Sequence, residues 1–200
     1  MKKLITWQGG ILKKCNFFLI FLYFLIQPTL TSASERWILD KNISTIEFEL
    51  PVLFAKNVKG KFNSIEGFVE LDVAHKENNK AIFSVQIDDL EMNYIKYKDL
   101  LLSNIFFDTL TFPLAVIDTK KFSYDNEKEL TLDAELTLKG RSEMVPLVIN
   151  VTSLAEELVQ IQSELLFSRT NFGIGIGQWS NTSILKDKIK IKTNLFLFKE

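Results

Sequence analysis

Cysteine and histidine are almost absent from this sequence of 200 residues, which contains one of each. Cys15 lies in the N-terminal segment, so residues 34–200 hold no thiol for a disulfide, a nucleophile or a metal ligand. His75 stands in the polar stretch 75–80 without a second histidine to complete a catalytic pair or a metal site. We therefore expect no metal and no cofactor, and this scarcity argues against hydrolases built on Ser-His or Cys-His pairs.

An excess of positive charge is also missing. The whole sequence has a net charge of −1, and residues 1–33 carry four lysines and no acidic residue, which leaves −1 − 4 = −5 for the rest. Nucleic-acid-binding domains carry basic patches on their surface. We expect no nucleic-acid partner.

The first 33 residues have the three parts of a secretory signal peptide. Four lysines flank the start of this segment, the ten apolar residues 17–26 follow, and Thr31-Ser32-Ala33 supplies the small residues that a signal peptidase recognises. An N-terminal membrane anchor is the alternative, but about 20 apolar residues are needed to span a bilayer. The sequence predicts a cleaved signal at residues 1–33 and one secreted domain at residues 34–200.

Alternation of apolar and polar residues dominates the remaining chain. From Glu129 to Leu138 leucine or alanine occupies every second position, and after the turn-forming residues 139–142 the alternation resumes through Val151. This pattern is typical of an antiparallel hairpin with one dry face. Similar runs predict about eight strands, at residues 46–50, 58–73, 81–88, 114–122, 129–138, 145–151, 159–167 and 189–197.

Eight antiparallel strands with one apolar face each predict an all-β fold that closes into a barrel. Asn63-Ser64 indicates a bend inside the second strand, and Gly60 and Gly67 indicate bulges or tight coiling. One short helix is predicted within residues 93–104, between the third and fourth strands, with Asn93 as its N-cap.

Two short segments have residue types that occur in cation-binding or nucleotide-binding sites. Asp88, Asp89 and Glu91 form an acidic cluster that suits a hard cation or a carboxylate pair, but a solvated turn explains it better because no loop with cation-ligand spacing follows. Residues 173–177 lack the third glycine of a nucleotide-binding fingerprint. We interpret them as a coiled loop that lets Trp179 pack closely.

Phenylalanine is abundant, with 17 residues against four tyrosines. Large rings without hydroxyl groups suit a packed core, and they also suit a lined cavity because ligand cavities are mostly apolar. Composition leaves both alternatives open.

Five motifs occur in the order that is found in one protein family: residues 37–40 with 44–48, residues 58–62 with Gly67, Ser103 with 106–108 and 112–113, residues 136–140, and residues 169–175. Over residues 37 to about 198 the sequence resembles the YceI-like family of bacterial periplasmic proteins. The resemblance implies a lipocalin-like barrel of eight strands in the periplasm that binds polyisoprenoids or other long-chain amphiphiles, and family members often form homodimers. Ile43, Val52 and Leu100 stand where members often carry histidine, so no titratable contact is implied there.

The resulting hypothesis is a non-catalytic protein that holds a polyisoprenoid or fatty-acyl lipid in the lumen. Each predicted lining residue is a phenylalanine whose ring is expected to face the lumen, from strand parity or from the family motifs: Phe48, Phe83, Phe106, Phe107, Phe167 and Phe172. The predicted helix and the connection after it are expected to form one mouth of the barrel. Arg169 is interpreted either as a contact for a polar or anionic head group or as part of a structural ion pair. The alternatives are a ligand-free accessory module of a membrane or redox complex, and a small hydrolase or isomerase that uses the acidic cluster.

Overall fold

The computed structural model describes residues 34–52 and 55–200. The predicted signal peptide at residues 1–33 lies outside the described residues. No helix in the described part of the chain is both long enough and apolar enough to cross a membrane.

Eleven strand segments form one antiparallel sheet. They are β1 (Ser34–Leu39), β2 (Thr45–Val52), β3 (Ala55–Phe62), β4 (Ile65–Asp72), β5 (Lys80–Gln86), β6 (Leu90–Met92), β7 (Leu114–Asp118), β8 (Glu129–Leu138), β9 (Arg141–Ala155), β10 (Leu158–Ser168) and β11 (Lys188–Lys199). The order β1-β4-β5-β7-β8-β9-β10-β11 closes into a ring because β11 also pairs with β1. The other segments, β2, β3 and β6, extend from β11 in that order.

The eleven segments make eight barrel strands, because three strands are interrupted once. β1 and β2 both pair along β11, β3 and β4 pair along β2 and β1, and β5 and β6 pair along β4 and β3. The second interruption falls at residues 63–64, where the sequence predicted a bend. The predicted eight-stranded antiparallel barrel is therefore confirmed.

Alternation decides which side chains face the lumen. In β8 the burial of the side chains alternates along the strand, with Ala134, Leu136 and Leu138 buried. β8 and β9 pair from Glu129↔Asn150 to Leu138↔Arg141, so the predicted hairpin is confirmed. Its turn is Lys139-Gly140, and both residues have positive φ, at 50° and 69°. Such a two-residue turn matches the twist of the strands that it joins.

The predicted helix is present but shorter than expected. A 3₁₀ turn at Ile95–Tyr97 leads into the single α-helical segment of the described residues, α1 (Lys98–Leu102). The prediction that Asn93 caps the helix is wrong, because its Oδ1 accepts a hydrogen bond from the backbone N–H of Lys59 at 2.9 Å. The side chain therefore ties the end of β6 to β3.

Gly60 and Gly67 do not produce the bulges that their positions suggested. Each lies directly opposite a phenylalanine of the neighbouring strand, Gly60 opposite Phe48 and Gly67 opposite Phe83, with unbroken register. A Cβ atom at Gly60 would lie 2.5 Å from Phe48, and one at Gly67 would lie 2.1 Å from Phe83. These glycines therefore provide space for aromatic rings that lie across them.

Candidate functional site

The lumen contains two spaces that lie at opposite ends of the barrel. The wide chamber, of about 760 Å³, lies away from α1 and is lined mainly by aliphatic side chains, among them Leu71, Leu132, Ile149, Val151, Val159 and Ile161. The narrow chamber, of about 130 Å³, lies beside α1 and is lined by Phe48, Val85, Phe106, Phe107, Leu138 and Phe167 among others. Ligand-binding cavities have volumes of about 300–1,000 Å³, so only the wide chamber by itself reaches that range.

A layer of side chains separates the two chambers. Its members border both spaces: Ile46, Phe83, Ile117, Leu165, Ile191 and Thr193. Phe83 is the largest of them and lies across Gly67, where a Cβ atom would collide with its ring. Close packing between β4 and β5 therefore sets the depth of the wide chamber.

The aromatic residues that the sequence singled out gather around the narrow chamber. Phe48, Phe106, Phe107 and Phe167 line it, and Phe83 borders both chambers. Phe172 is only 1% exposed and packs behind the lining, with its ring edge-on to Phe167 at 5.4 Å between centroids. Contact of these residues with a ligand stays a prediction.

Packing of the rings explains why this end is nearly filled. Phe48 lies 5.4 Å from Phe62 and Phe106 lies 5.7 Å from Trp179, measured between ring centroids. Tilted and edge-on pairs at such distances are favourable beyond the area that they bury. The phenylalanines thus form a core at the α1 end, whereas the cavity at the other end is mostly aliphatic.

Arg169 borders the narrow chamber but has a structural role. The residue is 1% exposed. Its Nε donates to the carbonyl of Lys186 at 3.0 Å, Nη1 to that of Ile174 at 2.7 Å, and Nη2 to that of Leu185 at 2.8 Å. The hydrogen bonds of Arg169 to backbone carbonyls give it a structural role, and its contact with a polar or anionic head group stays a prediction.

The glycine-rich loop supports this arginine. Gly173, Gly175 and Gly177 all have positive φ. At Gly175 a Cβ atom would lie 2.7 Å from Nη1 of Arg169 and 3.4 Å from the Cβ of Trp179. The predicted coiled loop with a closely packed Trp179 is confirmed.

Charged and polar groups are concentrated at the rim of the wide chamber. Glu35 and Lys199 form an ion pair at 2.9 Å, and Glu127, Lys128 and Glu156 also border the opening. Tyr124 lies among them, and burial, followed by the charge of Glu127, raises the pKa of its phenol. The hydroxyl therefore stays protonated and can donate a hydrogen bond at the rim.

Trp37 carries an unsatisfied donor beside the wide chamber. The residue is 9% exposed, and its buried Nε1 has no hydrogen-bond acceptor among residues 34–52 and 55–200. Leaving a buried donor unpaired costs about 1–3 kcal/mol. The inward position of Trp37 was not identified from the sequence, although it lies two residues before the inward Leu39.

The acidic cluster lies on exposed positions and has ordinary partners. Asp89 accepts a hydrogen bond from the hydroxyl of Ser64 at 2.6 Å. Glu91 pairs with Lys61 at 3.0 Å, and hydrogen bonds from Lys61 and Asn63 lower the pKa of its carboxyl. Within the part of the chain that the structure describes, no group of three or more His, Cys, Asp or Glu side chains is placed to hold a metal ion.

Comparison with known proteins gives one family and several similar structures. The family described as the YceI-like domain matches residues 37–197. Burkholderia cenocepacia BcnA superposes with a TM-score of 0.71 at 22% identity, over 79% of this chain and 98% of BcnA. A polyisoprenoid binding domain from Saccharophagus degradans implicated in plant cell wall breakdown gives 0.66 at 16% identity, over 82% and 98%.

A third similar structure is the Campylobacter jejuni YceI protein, with a TM-score of 0.62 at 21% identity, over 75% of this chain and 89% of that one. No curated protein matches the chain in sequence. At identities below 25% these structural similarities establish a shared fold.

Proposed function

Because this chain belongs to the YceI-like family, we propose that it is a non-catalytic carrier that holds a long-chain amphiphile, a polyisoprenoid or fatty-acyl lipid, in its lumen. The observation that supports this proposal is the wide chamber, an apolar cavity of about 760 Å³ whose charged groups lie at its rim. The neighbour from Saccharophagus degradans, described as a polyisoprenoid binding domain, has the same fold.

Burial of hydrocarbon supplies the binding energy in this proposal. Each buried CH₂ group contributes about 0.8 kcal/mol, so ten of them contribute about 8 kcal/mol before costs are subtracted. That gross value corresponds to a dissociation constant of about 1 μM. The costs of association and of ordering the lipid chain reduce this binding energy. A lipid that fills both chambers buries more CH₂ groups, so it binds more tightly than a lipid that fills only one.

The two ends of the barrel take different parts in this proposal. The wide chamber opens beside the ion pair of Glu35 and Lys199, where a polar head group remains in contact with water. The hydrocarbon chain extends inwards, and its end reaches the layer that contains Phe83. Beyond this layer the predicted lining residues Phe106 and Phe107 offer a small additional apolar space.

A periplasmic location completes the proposal. Residues 1–33 have the composition of a secretory signal, and residues 34–200 contain no cysteine. A carrier with a closed apolar lumen suits this compartment, because lipids that cross it must be shielded from water.

The test is native mass spectrometry of the protein purified from its host cells without detergent, followed by solvent extraction of the sample. We expect a protein mass that begins at Ser34, together with an adduct of a few hundred daltons that extracts as a lipid. A bare mass that is unchanged after incubation with prenyl and acyl lipids would contradict the carrier and favour the ligand-free accessory module.

Two valine substitutions on one strand provide matched variants. Val151 faces the wide chamber and Val148 lies on the outer face of β9. Val151→Asp places a carboxylate inside the cavity and should remove the adduct, because burying a charge without a partner is costly. Val148→Asp introduces the same charge outside and should keep the adduct. Phe107→Asp tests the narrow chamber in the same way.

A further inference from the structure

One polar pair interrupts the apolar wall of the lumen. The inward positions of β10 and β11 that border the chambers are Val159, Ile161, Ser163, Leu165 and Phe167, and Ile189, Ile191, Thr193, Leu195, Leu197 and, at the rim, Lys199. Ser163 and Thr193 stand directly opposite each other in the register of the two strands. Their hydroxyl oxygens lie 2.7 Å apart, and we refer to them as the hydroxyl pair.

The hydrogen bonding of this pair is incomplete. Two hydroxyls carry two protons, and the single bond between them uses one. Neither side chain makes another hydrogen bond to any of the described residues, 34–52 and 55–200. One O–H group is therefore left to donate to whatever occupies the lumen.

The depth of the pair distinguishes it from other hydroxyls of the wide chamber. Thr193 belongs to the layer between the chambers, and Ser163 borders the wide chamber beside it. By contrast, Thr119 exchanges hydrogen bonds of 2.8 and 3.2 Å with the backbone of Ala81, and Ser153 donates to the carbonyl of Ala155. The hydroxyl pair thus offers a free donor at the inner end of the cavity.

We infer that the hydroxyl pair donates a hydrogen bond to an oxygen atom within the chain of the ligand, so that the lumen prefers lipids with an internal carbonyl, ester or ether oxygen to plain hydrocarbon chains. The inference rests on the proposed function. A plain chain that fills the chamber displaces water from the pair without replacing its hydrogen bond, whereas an oxygen at the right depth replaces it.

The experiment uses octadecanoic acid and a series of oxo-octadecanoic acids that differ only in the position of the carbonyl group. Affinities are measured by competition in native mass spectra of the full chain as the cell processes it. We expect the oxo acid with its carbonyl at one particular position to bind about fivefold more tightly than octadecanoic acid. A factor of about five in affinity corresponds to one neutral hydrogen bond. The double variant Ser163→Ala/Thr193→Val should remove this preference, so that each oxo acid binds to the variant no more tightly than octadecanoic acid does.

The chain supplies a matched control on its outer face. Thr137 and Ser142 form a second cross-strand hydroxyl pair, also at 2.7 Å. Thr137→Val/Ser142→Ala should keep the positional preference. If octadecanoic acid binds but the series shows no preferred position, or if the preference survives in the lumen variant, the hydroxyl pair has no such role and the carrier function stands. If no member of the series binds, the inference fails together with the fatty-acyl ligand, and the native mass spectra with prenyl lipids decide whether the carrier function stands.

Discussion

Substitution of Gly67 by alanine tests the packing that separates the two chambers. Gly67 lies opposite Phe83, and a Cβ atom there would lie 2.1 Å from Cδ1 of the ring and 2.7 Å from the carbonyl oxygen of Ile82. Ordinary contact begins at 3.4 Å, so the ring must move by 3.4 − 2.1 = 1.3 Å. Overpacking of this kind costs about 1–3 kcal/mol of folding stability.

A double-mutant cycle isolates this contact. Phe83→Ala alone should cost about 3–5 kcal/mol, because the ring is buried. In its background Gly67→Ala no longer meets the ring, so the double variant should be about 1–2 kcal/mol more stable than the sum of the single effects predicts. The clash with the carbonyl of Ile82 persists and keeps the rescue partial. Urea unfolding followed by circular dichroism measures all four free energies.

Gly177 provides the control for a glycine without a packing role. Among the residues that the structure describes, apart from its two chain neighbours, none has a heavy atom within 4 Å of the position that a Cβ would take there, and its φ is +64°. Gly177→Ala should therefore cost about 1 kcal/mol through its backbone alone, and this cost should add to that of Phe83→Ala. If Gly67→Ala and Phe83→Ala were additive within about 0.5 kcal/mol as well, the reasoning about the ring would be refuted.

Three further predictions concern an arginine, a tryptophan and a carboxylate. Arg169→Lys should lower the free energy of unfolding by at least about 3 kcal/mol in urea titrations, since one ammonium group cannot reach all the carbonyls that the guanidinium bonds; a change below 1 kcal/mol would contradict its structural role. In the protein without its signal peptide, residues 34–200, lipid binding should change the fluorescence of Trp37, which borders the wide chamber. Trp37→Phe should abolish this change in fluorescence, and Trp179→Phe should keep it. Burial raises the pKa of Asp187, but hydrogen bonds from Thr170 and Ser168 and the charge of Arg169 outweigh burial and lower it overall. The stabilisation from this carboxylate is therefore present above its unfolded pKa of about 3.9 and is lost as the pH falls through the folded pKa. Asp187→Asn should thus reduce the stability that the protein loses in acid unfolding curves. An acid unfolding curve that the substitution leaves unchanged would contradict this role of Asp187.

The strands and their inward faces follow directly from local pattern. Alternation over residues 129–138 predicts both the strand and its buried side, because side chains of a strand point to opposite faces in turn. The same alternation also places the aliphatic lining of the wide chamber, including Leu132 and Ile149, on the inward face. The predicted lining residues were nevertheless all phenylalanines, and most of them lie around the narrow chamber. The alternation also includes Ser163 and Thr193, whose hydroxyls lie in phase with inward apolar neighbours.

Tertiary structure decided which residues meet across the barrel. Alternation assigns a face to each residue, but it says nothing about the register between strands that are distant in sequence. The sequence therefore indicated a bulge or tight coiling at Gly67, and only the structure showed its pairing with Phe83. The hydrogen bonds from Arg169 to the backbone carbonyls of Ile174, Leu185 and Lys186 likewise depend on how separate segments pack, so the sequence did not predict them. The division of the lumen into a filled aromatic end and an open aliphatic end has the same origin, because cavity volume depends on how side chains from all eight strands fill one level of the barrel.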